Sequence, residues 1–227
     1  MDIETVPQYV SYEEISSDFK HIWNKKASFI DSERSAEELY FEKAGIYAEY
    51  GKVIVISLGF FSQTSEKLCF RTKSLYGHDE KKLLAEFQAL ISEKFKHPSY
   101  RFCAHNGKEF DYPYLCRRMI INQINIPPIL QLMGKKPWQV EHLDTLELWK
   151  FGDYKHYTSL QTLTTIFGIE SSKEDIDGSQ VAQVYYHENG LERISRYCTN
   201  DVIATARVYL SYHHLGELKT EDIVEAN

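Results

Sequence analysis

Residues 52–61 read Lys-Val-Ile-Val-Ile-Ser-Leu-Gly-Phe-Phe, and this run constrains the fold more than any other. Its density of Val and Ile marks a buried strand. Leu68–Lys73 is placed to be its hairpin partner. The longest apolar stretches here, Val53–Ile56 and Gly59–Phe61, fall far short of the ~20 residues that span a bilayer. Helical spacing takes over downstream. Leu83, Leu84, Phe87, Leu90, Ile91 and Phe95 predict an amphipathic helix over Lys82–Phe95. Tyr100–His105 reads as a short strand, Asn106-Gly107 as a turn, and Phe110–Ile124 as a helix with Pro113 in its first turn. His142–Leu146 reads as a strand, and Ser159–Phe167, Gln180–His187 and Leu191–Leu210 as helices. Early strands, intervening helices and a helical finish give an α/β plan with a mixed sheet.

At 227 residues the chain suits one large domain or two small ones. No repeat or boundary is visible, so residues 1–227 read as a single domain. Within it, 6–49 is a polar insertion with weak helical stretches at Ser11–Asn24 and Ala36–Lys43. The N-terminus carries acids and no basic-then-apolar block; no signal peptide is read, and a cytoplasmic location is expected. Cys69, Cys103, Cys116 and Cys198 are scattered without a CxxC pair, which fits reduced thiols better than a disulfide framework or a zinc site. The net charge of −7 argues against a non-specific nucleic-acid binder, since such binding runs on Lys/Arg–phosphate contacts. It leaves open an enzyme that grips one strand end through metal ions.

Carboxylates stand at four informative places. Asp2 and Glu4 share one face if Asp2-Ile3-Glu4 is a strand. Paired acids repel unless one takes a proton or a cation sits between them, and hard oxygen ligands suit Mg²⁺ or Mn²⁺. The plain alternative is an exposed acidic terminus. Asp111, in Asn106-Gly107-Lys108-Glu109-Phe110-Asp111, lies where a strand and turn lead into a helix, and could simply cap it. Tyr197 and Asp201, four apart on the last long helix, share a face; a surface acid above a packed tyrosine is the alternative. Asp144, inside His142-Leu143-Asp144-Thr145-Leu146, reads as a supporting acid or a cap. Cys198, beside Tyr197, reads as a small buried residue rather than a nucleophile.

The order of these features carries more than any one of them. A DxE strand, then NGxxFD at a strand–helix junction, then YxxxD in a late helix resembles the three motifs of the DEDDy 3′–5′ exonucleases, the DnaQ-like group of the ribonuclease H-like superfamily. Phe167-Gly168-Ile169, Lys173, Ile176-Asp177-Gly178-Ser179, Val181, Tyr197-Cys198 and Asp201-Val202 are similar to a stand-alone branch. That branch resembles the proofreading domain of family B DNA polymerases. Glu49–Val53 and Ile56–Gly59 are similar to it too, so the likeness runs from Asp2 to about Tyr212.

The resemblance implies a ribonuclease H-like fold with a five-stranded mixed sheet flanked by helices. It implies that Asp2, Glu4, Asp111 and Asp201 hold two divalent cations, Mg²⁺ or Mn²⁺, and that Tyr197 orients the attacking water and the phosphate. Thr5, Asn106 and Phe110 would approach the terminal nucleotide; for Phe110 a core position is an equal alternative. Arg117 and Arg118 read as solvated, with phosphate contact as the alternative. The implied activity is hydrolysis from the 3′ end of single-stranded nucleic acid, DNA before RNA. The alternatives are a 3′–5′ exoribonuclease or a catalytically weak nucleic-acid-binding relative. No membrane partner is expected. The resemblance also predicts about five apolar residues ahead of Asp2, where the sequence shows Met1 alone. The expectation is a native start upstream, or else a stunted first strand.

Overall fold

The computed structural model describes residues 1–63, 68–153, 155–170 and 176–226. Lys173 lies outside them. The first strand, β1 (Asp2–Pro7), pairs antiparallel with a long β2 (Gly51–Gln63). Its length comes from the residues after the DxE pair: Val6 and Pro7 continue it opposite Lys52 and Gly51, rather than opening the insertion. Glu4 pairs with Val55 and Thr5 with Val53, so Ile54 is the extra residue of a β-bulge. An extra residue inverts the alternation of faces. Ile56 and Leu58 beyond it, and Val53 before it, therefore pack in one cluster. Ile54 and Val55 pack in another, on the late helices. Both faces of β2 are covered, as its Val/Ile content demands.

Residues 8–50 build a helical annex with its own core. Helix α1 (Ser17–Ile30) and helix α2 (Ala36–Lys43) enclose Trp23, Leu39 and Tyr40, with Ile15 and Tyr50 completing the cluster. The buried Trp23 indole donates to the Ala36 carbonyl at 2.7 Å, and Ser35 and Glu38 form a capping box that starts α2. Gly45 then passes so close to β1 that a Cβ there would meet the Val6 backbone at 3.0 Å.

Strand β3 (Leu68–Tyr76) returns antiparallel to β2, as expected. Helix α3 (Glu80–Lys94) follows, then the two-residue strand β4 (Cys103–Ala104) and helix α4 (Asp111–Ile121). Strand β5 (Leu143–Asp144) pairs parallel with β4 and stops after two residues. The predicted strand over His142–Leu146 is overridden from Thr145 onward. The Asp144 carboxylate accepts the Leu146 and Glu147 amides at 3.0 and 3.3 Å and starts helix α5 (Thr145–Lys150) instead. Helices α6 (Leu160–Ile166), α7 (Val181–His187) and α8 (Leu191–Tyr212) follow. The chain then turns back, and β6 (Ile223–Glu225) pairs parallel with β3, so a strand and not a helix closes the described fold.

Among the described residues the mixed sheet has four strands, in the order β1-β2-β3-β6, beside a separate β4-β5 ladder, rather than five in one sheet. The free edge of β1 faces the ladder. Met1 N donates to the Cys103 carbonyl at 2.6 Å, but the next amide on that edge, Ile3 N, goes to the Asp111 side chain at 3.1 Å. A carboxylate thus takes the place of a ladder hydrogen bond, and the two sheets stay distinct.

Helix α4 is anchored from behind by a buried ion pair. Arg118, 4% exposed, forks onto Glu80 through Nε at 2.8 Å and Nη2 at 2.5 Å, and also donates to Ala48 O and Gln8 Oε1. Glu80 accepts the Val53 amide and the Asn122 side chain as well. Arg118 is therefore structural, which corrects its reading as a solvated residue; Arg117, one position before it on the helix, is exposed. Among the described residues no helix is long and apolar enough to cross a membrane.

Candidate active site

On β1, Asp2 and Glu4 alternate with the buried Ile3, so their carboxylates leave the strand on one side. That side meets α8. Helix α8 buries Leu191, Ile194, Ser195, Cys198, Val202 and Thr205, the three-to-four spacing of an amphipathic stripe. A chain of hydroxyls seats it. Ser195 Oγ donates to Ser74 Oγ at 2.8 Å, Ser57 Oγ reaches Ser74 at 3.0 Å, and Thr199 Oγ1 lies 3.3 Å from Ser57. Ser57 is the β2 partner of Asp2. The strand register and the helix seating thereby fix Asp2 relative to Tyr197 and Asp201.

The acids converge around Asp2. Ligand atoms of Asp2, Glu4 and Cys198 all lie within 4.8 Å of one another, and the Cys198 thiol donates to Asp2 Oδ2 at 3.2 Å. Asp111, 3% exposed, caps nothing with its side chain in the way first considered; it turns toward β1 and accepts the Ile3 amide. Asp201 is hydrogen-bonded by Tyr197. Cys198 is fully buried, and desolvation drives its thiol pKa well up, so it is a packed residue and not a nucleophile.

Electrostatics show how costly this arrangement is for the bare protein. Burial, then the charges of Asp111 and Asp201, hold the Asp2 carboxyl far above its ordinary pKa. Burial raises Asp111 to about 7. Burial also raises Asp201 to about 6, against a downward pull from the Tyr197 hydroxyl. Buried carboxylates that resist ionisation together are the donor set a divalent cation would relieve. The group of Asp2, Glu4 and Cys198 is one that could hold a metal ion, and its two carboxylates are the hard oxygen donors in it.

A stability prediction arises here. Between about pH 6.5 and 7 the native protein retains protons on Asp2 and Asp111 that an unfolded chain has already lost. Stability is then highest below the unfolded carboxyl pKa and is lost as pH rises through the folded value. Half-buried His105 and buried His142, with lowered pKa values, act oppositely but below about 6.5. In chelator, the melting temperature is expected to fall across that window; Mn²⁺ should remove the fall, and Asp111→Asn should flatten it. A flat profile for the metal-free wild type would contradict this electrostatic account.

Asp2 and Asp201 open onto a cleft of about 1210 Å³. Its lining includes Asp2, Tyr197 and Asp201, with His105, Tyr157 and Arg207 on the walls. His105 is fixed through Nδ1 to Thr145 Oγ1 and through Nε2 to Thr158 O, both 2.9 Å. Tyr157 is 65% exposed and meets the His105 ring edge-on. Arg207 binds the carbonyls of Glu170 and Leu218 and the Thr220 hydroxyl, which holds the C-terminal segment as a cleft wall. None of these three was singled out from sequence; each acts through a tertiary contact that no local pattern reports.

The predicted substrate contacts are placed differently. The Thr5 hydroxyl donates to Gly45 O at 2.8 Å, so it serves the annex junction. Asn106 takes a left-handed turn conformation with φ 65°, and its amide donates to Asp144. Phe110 is half-buried, packed on the core and 5.3 Å from the Tyr114 ring. Asp144 proves more important than its sequence context suggested. It accepts the amides of Asn106 and Lys108 at 2.9 and 3.0 Å as well as capping α5, so it sets the turn that delivers Asp111.

A family model described as "Predicted 3'-5' exonuclease related to the exonuclease domain of PolB" matches residues 46–227. That segment contains Asp111, Tyr197 and Asp201; Asp2 and Glu4 precede it and reach the same place through β1. A DNA polymerase of Pyrococcus horikoshii is 26% identical over 200 residues, covering 80% of this chain. The chain spans 15% of that polymerase's length.

Proposed function

Since the chain belongs to the family of predicted 3′–5′ exonucleases related to the exonuclease domain of PolB, we propose that it hydrolyses phosphodiester bonds at the 3′ end of single-stranded nucleic acid, with DNA the favoured substrate. The convergence of Asp2, Glu4, Asp111 and Asp201 below an open cleft carries this reading. The helices flanking a mixed sheet, with the acids gathered at β1 and its neighbours, support a ribonuclease H-like assignment. Two divalent cations, when bound, supply charge stabilisation at the scissile phosphate and an acidified water.

The protein's own groups do the rest. The four carboxylates present oxygen donors from β1, α4 and α8, so the site is assembled only in the folded chain. The Tyr197 hydroxyl, hydrogen-bonded to Asp201, orients the attacking water and a phosphate oxygen. Asp144 holds the turn before α4 and so positions Asp111. Tyr157 offers an exposed ring on which a terminal base can stack. Burial of the acids excludes bulk water from their inner faces and strengthens every charge interaction there.

The test compares single-stranded oligonucleotides in Mn²⁺, one with a free 3′ end and one with an inverted 3′ terminus. The free end is expected to shorten stepwise, the inverted one to persist. Cleavage of both at equal rates would refute the polarity, and faster degradation of a matched RNA would move the assignment to an exoribonuclease, since the 2′-hydroxyl is the discriminating group.

A further inference from the structure

His105 follows β4 directly and is tied at both ring nitrogens. Nε2 lies 2.9 Å from the Thr158 carbonyl, and a carbonyl only accepts, so Nε2 carries a proton. Burial lowers the ring's pKa from its ordinary value, so the ring is neutral at neutral pH and that proton is its only one. Nδ1 is therefore a bare acceptor, and it takes the Thr145 hydroxyl at 2.9 Å. The same hydroxyl stands 3.3 Å from the Ala104 carbonyl, the longer of its two contacts. Thr145 is fully buried and is the first residue of α5, the helix that the Asp144 carboxylate starts. Asn106, next in the chain after His105, gives its amide to that same carboxylate. His105 is thus rooted in the turn that delivers Asp111. Its second bond leaves that turn for a loop 53 positions later.

That loop joins α5 to α6 and carries Tyr157 into the catalytic cleft. Phe151 and Gly152 leave α5 in the left-handed region, with φ 45° and 88°. Asp153 accepts the Lys155 amide at 2.9 Å and holds the His156 ring at 2.8 Å, contacts that stay local to the loop. Among the described residues the bond to His105 is the only hydrogen bond made by Tyr157 or Thr158. The Tyr157 ring meets the His105 ring edge-on, with centroids 6.3 Å apart and planes at 71°. Tyr157 is 65% exposed, so packing alone does not hold it. Burial of its hydroxyl, then the charges of Asp144 and Asp111, raise its pKa, so the hydroxyl sits within the field of the acids. One neutral histidine therefore ties an exposed aromatic ring to the turn from which Asp111 is delivered.

We propose that His105 is a positioning residue for the 3′-terminal base: its Nε2–H, bonded to the Thr158 carbonyl, keeps Tyr157 where that base stacks beside the acids. The inference rests on the exonuclease reading of the cleft. His105 touches neither strand nor cation in this arrangement. It acts through Tyr157 alone, by stopping the loop from carrying the ring away from the cleft. Removing it therefore costs binding and not chemistry, because a stacking contact is the same before and during hydrolysis. A histidine that only braced the fold would act on the acids through Thr145 and Asp144, and would serve every 3′ end alike.

The experiment uses the full chain in Mn²⁺ with a 5′-labelled single-stranded oligodeoxynucleotide that ends in a normal 3′ nucleotide or in an abasic one. His105→Phe keeps a ring and removes both hydrogen bonds. Tyr157→Ala removes the platform. His105→Gln keeps a donor for Thr158. On the normal end, His105→Phe and Tyr157→Ala are each expected to raise KM about tenfold, the scale of one lost base–aromatic stack, with kcat within about twofold of wild type. The double variant should lose no more than either single one, since the two residues act as one unit. On the abasic end all three should match the wild type, there being no base to stack. His105→Gln should restore most of the KM, and calorimetric Mn²⁺ affinity should be unchanged in every variant. The proposal is overturned by unchanged KM in His105→Phe, by KM losses that multiply in the double variant, or by equal losses on the abasic end. A fall in Mn²⁺ affinity with His105→Phe also overturns it, marking a brace for the acid turn. The exonuclease reading fails distinguishably: a wild type that leaves the normal end intact refutes both, whereas one that shortens it while the losses multiply refutes the proposal alone.

Discussion

Asp201→Asn is expected to slow hydrolysis by at least about a thousandfold, on the scale of losing one fixed electrostatic partner in an active site. The same change should leave the metal-free protein as stable as before or more so. The two effects share one cause. Asp201 is half-buried and its carboxyl is held at about 6, so its ionised form opposes folding at neutral pH until a cation compensates it. Asparagine keeps the shape and the Tyr197 contact without the charge. Single-turnover cleavage in Mn²⁺ and thermal melting in chelator read the two effects separately. Activity retained within tenfold would remove Asp201 from the reaction. Tyr197→Phe is the informative contrast. It deletes the orienting hydroxyl but keeps all four carboxylates, so cation affinity should persist while turnover falls.

Arg118→Ala is expected to cost about 3–5 kcal/mol of stability, the range for breaking one partner out of a buried ion pair. For a chain of this size that corresponds to a fall in melting temperature of roughly 6–20 °C. The loss is large because three groups are stranded together. Glu80 keeps its charge in a site that is 8% exposed, and the Ala48 carbonyl and Gln8 side chain lose their donor. Arg118→Lys retains the charge but not the planar fork, and should fall between wild type and alanine. A loss below about 1 kcal/mol is the magnitude of a solvated surface pair, and would show that this one is hydrated. The pair matters to the site because Arg118 stands on the same helix that Asp111 begins. Loosening α4 is expected to lower activity along with stability.

Much of this was legible from sequence because it is local. β2 announces itself through Val53–Ile56, α3 through its apolar spacing, and the acids through the order in which their motifs occur. Tyr197 and Asp201 share a face by helix geometry alone. What was not legible depends on distant partners. Arg118 looks like any charged residue on a helix until Glu80, thirty-eight positions earlier, folds against it. Asp144 looks like one more turn acid until its oxygens are found on the amides of Asn106 and Lys108. β6 is only three residues long, Ile223-Val224-Glu225, too short to announce itself, and only pairing with β3 makes it a strand. The five-stranded sheet failed for a similar reason, because the edge of β1 gives its Ile3 amide to Asp111 rather than to a neighbouring strand. Thr5 was placed beside the substrate by its motif, yet its hydroxyl closes the junction with Gly45.

The central claim is that buried acids from β1, α4 and α8 form a cation site whose charge the fold tolerates only when filled. Calorimetric titration of Mn²⁺ at neutral pH, repeated in buffers of different ionisation heat, tests it most directly. The account predicts saturable binding accompanied by proton release, because Asp111, held at about 7, and Asp2, held far above its ordinary range, must give up protons to become ligands. Asp111→Asn should weaken the binding and reduce the protons released. No saturable binding, or binding unchanged by that substitution and without proton release, would contradict it.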